Sequence, residues 1–170
     1  MSSMGLSTLR VFIIITLLLG SLLSSPTGIA GGKRPEVKIL SAEELRDVVR
    51  DSRGKVLVLN FWSTLDEISK QEIPFLNTLY GTHRGETLEI IGINVEGVEP
   101  DVIAPFVEMM QINYPVFVGR DDIIEAYDIQ FTPVTFILGK GGKVRMKEMG
   151  FSKDTKPKFR KLINTLLREG

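Results

Sequence analysis

The chain of 170 residues contains no cysteine. It can form no disulfide, present no thiolate nucleophile, carry no lipid on a leader cysteine and offer no sulfur ligand to zinc or an iron–sulfur cluster. Histidine occurs once, at His83 in a polar stretch from Gly81 to Gly85, and one imidazole without cysteine leaves no transition-metal site. Charge of one sign is also lacking. Lys plus Arg and Asp plus Glu each total 21, so no global field recruits nucleic acid or an anionic membrane. A glycine-rich phosphate cradle is missing too, because Gly139, Gly141 and Gly142 sit between two strand-like runs and open no helix. Asp121 and Asp122 have no further carboxylates at calcium-loop spacing and read as a helix start. No metal, no cofactor and no nucleic-acid partner is therefore expected.

What is present begins with an address. Residues 11–23 are uncharged and largely apolar behind a short N-terminal stretch bearing Arg10, and the small residues Gly28 and Ala30 stand where a signal peptidase cutting after Ala30 would read. Residues 1–30 are expected to be a signal peptide. The alternative is an N-terminal membrane anchor over 11–30, since no charge appears from Val11 until Lys33, although Pro26 and the serines make a poor second half of a span. Either way the rest of the chain is expected to be exported, to the periplasm or another extracytoplasmic space, touching membrane only through that segment. A linker over 31–40 and one domain over 41–170 follow, with enough apolar residues for a core of ordinary size.

Within the domain, Ser41 and Glu44 have capping-box spacing and predict a helix to about Arg53, stopped by Gly54. Residues 55–61 are rich in Val and Leu, as a buried central strand requires. A helix over 66–80 follows, with Ile68, Phe75, Leu76 and Leu79 near helical spacing, and then a second apolar strand over 88–95. Strand, helix, strand in this order implies a parallel pair joined by a crossover helix. Residues 100–110 read as a helix on which Met109 and Met110 pack, 115–118 as a short strand and 122–127 as a short helix. Residues 134–138 and 143–149 bracket a glycine-rich hairpin turn, and the helix over 156–168 carries Phe159, Leu162, Ile163 and Leu166 on one face.

Two pieces of this order carry a resemblance. The first central strand runs into Trp62, followed by Asp66, Ser69 and a helix containing Pro74. Far downstream lies the run Phe131, Thr132, Pro133, Val134, Thr135, Phe136. With the elements between them, these make the chain, over about residues 36 to 168, resemble the exported TlpA/ResA-like redoxins, thiol-disulfide oxidoreductases of the thioredoxin-like superfamily. In that family the strand enters Trp-x-x-x-Cys-x-x-Cys. Counting from Trp62 puts Asp66 and Ser69 at the two cysteine positions, Pro74 at the helix proline and Pro133 at the cis-proline that faces the redox site. The resemblance implies an α/β thioredoxin-like fold, a mixed central sheet flanked by helices on both faces, in a cysteine-less degenerate member.

Thiol–disulfide exchange needs one sulfur to attack and a second to resolve. Asp66 and Ser69 supply neither, and no base stands beside Ser69 in the sequence, so no catalytic residue is expected at these degenerate redox positions. Asp66 fits a helix N-cap. Active members of the family often carry an acid after the second central strand; Glu96 or Glu99 lies there, with no thiol left to protonate. The family's peptide groove, by resemblance, would survive at Trp62, Leu65, Thr132 and Pro133, where backbone pairing supplies affinity without thiols. The expected function is a non-catalytic protein of the cell envelope that binds a peptide or protein partner. The alternative is the family's redox role, in cytochrome c maturation or cysteine reduction, with the cysteines supplied by a partner.

Overall fold

The computed structural model describes residues 36–83 and 87–169, so the leader expected over 1–30 lies outside the described residues. Ser41 caps helix α1 (Ala42–Asp51) as its spacing requires: its hydroxyl accepts from the Glu44 amide at 3.3 Å, and the Glu44 carboxylate accepts from the Ser41 amide at 2.8 Å. The chain then enters β2 (Val56–Trp62), every residue of which is buried. A strand buried on both faces belongs at the centre of a sheet. There β2 pairs in parallel with β3 (Leu88–Asn94) and antiparallel with β5 (Val134–Leu138). Beyond β3 lie β4 (Val116–Gly119) and, at the edge, β1 (Lys38–Leu40); beyond β5 lies β6 (Val144–Met149). The β5–β6 hairpin turns at the predicted glycines, where the Gly142 amide donates to the Gly139 carbonyl at 2.8 Å.

Strand alternation divides the core in two. Val56, Val58 and Trp62 face α2 (Glu67–Thr82), α3 (Pro100–Met109) and α5 (Thr155–Arg168), whereas Leu57, Leu59 and Phe61 face α1 and α4 (Asp121–Tyr127). The fold is α/β, a mixed six-stranded sheet with helices on both faces, as expected. Asp121 and Asp122 do start a helix, and Asp122 also accepts from the Ala42 amide at 3.0 Å, tying α4 to α1.

Three expectations change. Strand β1 lies inside the stretch assigned to the linker and pairs with β4, so the folded domain starts before residue 41; three residues carry too little alternation to register as a strand. Met109 is 67 % exposed and only Met110 packs on the core. Ile68 sits in the first turn of α2, ahead of the turns that meet the sheet, and stays on the surface. Among the described residues, no helix is long and apolar enough to cross a membrane, and no three acidic or histidine side chains group as metal ligands.

Gly92 in β3 permits the close approach of two large rings. A Cβ there would meet the Trp62 Nε1 and Tyr114 Cε2 atoms at 3.0 Å each. Gly92→Ala is expected to destabilise the protein by about 1–3 kcal/mol through overpacking of a filled core. A urea midpoint equal to that of wild type would show instead that the rings give way freely.

Candidate functional site

Beyond Trp62 the chain turns through Ser63, Thr64 and Leu65 into Asp66, the N-cap of α2. The Asp66 Oδ1 atom accepts from the Ile68 amide at 3.0 Å and Oδ2 from the Ser69 amide at 3.1 Å, so this carboxylate satisfies two of the amides a helix start leaves open. The same Oδ2 also accepts from the Ser69 hydroxyl at 2.7 Å and from the Thr132 hydroxyl at 3.1 Å. The two degenerate positions are thus bonded to each other and, through Asp66, to the segment before Pro133. Partial burial works against ionisation of Asp66, but these four donors outweigh it and hold its carboxyl below the ordinary value.

This places an acceptor beside Ser69, contrary to the expectation from sequence. It still makes no hydrolase. Ser69 is wholly buried, and a carboxylate stabilised as the anion by four donors is a weak base.

Glu96, after β3, has a task that does not involve a thiol. Its Oε1 accepts from the Ser63 hydroxyl at 2.6 Å, the Thr64 hydroxyl at 2.8 Å and the Thr64 amide, pinning the turn between β2 and α2. Burial raises its proton affinity, and the hydrogen bonds reverse the sign and keep the carboxyl below its usual value. Glu99, the other acid considered, stands at the N-cap of α3 without a side-chain capping bond.

Beneath the turn lies a residue that sequence reasoning missed. Glu72 on α2 is wholly buried, accepting from the Asn60 amide at 2.8 Å and the Thr135 hydroxyl at 2.9 Å. Burial pushes its carboxyl up to about 7, against the lowering effect of those two bonds, with Glu148 and Asp66 adding repulsion. The available signal was Asn60, the one polar residue in an apolar central strand, which needs a partner once buried.

The Thr132–Pro133 peptide bond is cis, as the resemblance implied. Thr132 makes no backbone hydrogen bond among the described residues, and its neighbour Phe131 is 51 % exposed. Leu65, which precedes the Asp66 that Thr132 bonds, is 84 % exposed. Trp62 does not form the opposite lip: it is fully buried and stacks on Phe106 with ring centroids 5.3 Å apart. Pro133 is likewise buried. The accessible residues are Leu65, Phe131 and Thr132, with Met149 of β6, 62 % exposed, opposite Val134 on the strand that follows the cis bond.

A strand-to-helix turn facing a cis-proline on a mixed sheet defines a thioredoxin-type protein, here with both redox positions free of sulfur. The chain belongs to the AhpC/TSA family, whose model matches residues 31–147. It is similar to the thiol-disulfide oxidoreductase ResA of Geobacillus thermodenitrificans, 32 % identical over 68 % of this chain and 66 % of that one. The ResA of Bacillus subtilis is 30 % identical over 67 % of this chain and 64 % of its own. The chain therefore spans just under two thirds of the length of these relatives. Among solved structures, a thiol:disulfide interchange protein DsbE from Chlorobium tepidum superposes with a TM-score of 0.64 at 21 % identity, covering 70 % of this chain and 84 % of that one, a likeness of fold.

Proposed function

We propose that this protein is a non-catalytic member of its family that acts in the cell envelope and binds an extended segment of a protein partner beside the cis-proline. The observation that carries the reading is Thr132. Among the described residues its backbone N–H and C=O make no hydrogen bond, Phe131 before it and Leu65 before the Asp66 it bonds are exposed, and the site's chemistry has been replaced by a hydrogen-bonded carboxylate. An open backbone edge flanked by apolar side chains is the pattern by which a peptide adds as a strand. Location in the envelope rests on the leader-like N-terminus and on the similarity to ResA. A redox role would need a partner to bring both sulfurs, because exchange cannot start or resolve without them.

The test is a solution NMR titration of the chain with a pool of short random peptides. Amide shifts are expected at Leu65, Phe131, Thr132 and Met149, and are expected to disappear in a Leu65→Asp, Thr132→Arg double variant. Shifts that are absent, or equal in the variant, would refute binding at this groove. Trp62 is unsuitable for mutation here, since truncating it would empty the core.

A further inference from the structure

Between the β2–α2 turn and the Phe131–Thr132 segment lies a cavity of about 260 Å³. Val95, Ile124, Ile129 and Phe131 supply apolar lining, and Ser63, Glu96, Gln130 and Thr132 supply polar lining. Among the described residues no basic side chain lines it. The Oε1 atom of Glu96 accepts from side chains of the turn, and the hydrogen bonds to this carboxylate, the Leu65 amide among them, outweigh burial and favour the anion. The cavity also opens beside Thr132, whose backbone is the proposed docking edge.

An open cavity that combines apolar side chains with an anionic residue has a natural complement. Arginine and lysine bury a hydrocarbon stem against apolar surface while their charged head seeks a carboxylate, and such charge-assisted bonds are stronger than neutral ones. An acidic or short polar side chain would either be repelled or leave Glu96 without a new partner.

We propose that this cavity is a specificity pocket for one basic side chain of the bound segment, with Glu96 as the residue that selects it. The inference rests on the groove reading above: the segment pairs with Thr132, and a neighbouring arginine or lysine enters between Phe131 and Glu96.

The experiment uses four fluorescent pools of short peptides, each with random flanks and one fixed central residue, Arg, Lys, Gln or Glu. Each pool is titrated into the full chain and followed by anisotropy. The Arg and Lys pools are expected to bind about tenfold more tightly than the Gln pool, as a partly buried charge-assisted bond allows, with the Glu pool weakest. Glu96→Gln, which keeps an oxygen to accept from Ser63 and Thr64, is expected to erase that preference. Should Glu96→Gln fold poorly, Gln130→Lys puts a competing cation at the rim from an exposed position and is expected to do the same. Equal binding of all four pools to wild type would overturn the pocket while leaving the groove in place. A basic preference that survives both substitutions would overturn the assignment to Glu96. Binding of no pool would overturn the pocket and the groove together.

Discussion

Replacing Asp66 and Ser69 together by cysteine is expected to give this protein the thiol–disulfide exchange activity that wild type has no atoms to perform. The side chains already meet, the Ser69 Oγ and Asp66 Oδ2 atoms lying 2.7 Å apart across the first turn of α2. A cysteine at position 66 would take the N-cap place, where open amides and the helix dipole favour the thiolate. The second would be buried one turn on, as a resolving thiol is. In an insulin reduction assay with dithiothreitol, the double variant is expected to run at least about tenfold above the buffer rate, while wild type stays at that rate. The single variants Asp66→Cys and Ser69→Cys are expected to stay low for want of a resolving partner. If the double variant forms its disulfide, as mass spectrometry would show, and still does not turn over, then loss of sulfur is not the only departure from the redox scaffold.

The second large effect concerns Glu72. A carboxyl raised from 4.5 to about 7 by burial binds its proton more tightly in the folded chain than in the unfolded one. The folded state is therefore favoured below pH 4.5, and that advantage is lost as pH rises through 7. The displacement corresponds to about 3 kcal/mol between the two limits. Glu72→Gln keeps an acceptor for Asn60 and a partner for Thr135 but cannot ionise. It is expected to raise the unfolding free energy at pH 8 by about 2–3 kcal/mol, to leave it nearly unchanged at pH 4.5, and to flatten the slope between. Parallel curves for wild type and variant across this range would mean that Glu72 titrates normally. Asp66 and Glu96 act in the opposite sense: their lowered values give stability that is present above the ordinary carboxylate range and lost as pH falls through it. The contributions of these three groups are therefore jointly largest between the ordinary carboxylate range and pH 7.

Much of the fold was legible because its signals are long and regular. The apolar runs of β2 and β3, the capping box at Ser41 and the glycine hairpin each leave one physical solution, and the structure adopts it. Strand β1 was not legible, since it is a strand only by virtue of pairing with β4 some eighty residues away. Asp66 as an N-cap could be read from its place before α2, but its bond to Thr132 could not, because a contact across 66 residues leaves no local pattern. Trp62 was read as a lip when it is core; an aromatic residue at the end of a central strand suits both roles, and only Gly92 and Phe106 decide between them by opening space for the ring and stacking on it. Glu72 was overlooked because an acid inside a helix ordinarily faces water. Its partner Asn60 had already pointed inward.

The hydrogen bond from Thr132 to Asp66 has a consequence for where the protein can work. In a dithiol site the two sulfurs at the helix start gain or lose electrons with the redox poise of the surroundings. Here the helix start is joined to Thr132 by an oxygen-to-oxygen contact with nothing to gain or lose. A partner seated beside it would be held with the same strength in an aerated or an anoxic medium, and release would have to come from competition or from acidity rather than from an electron donor.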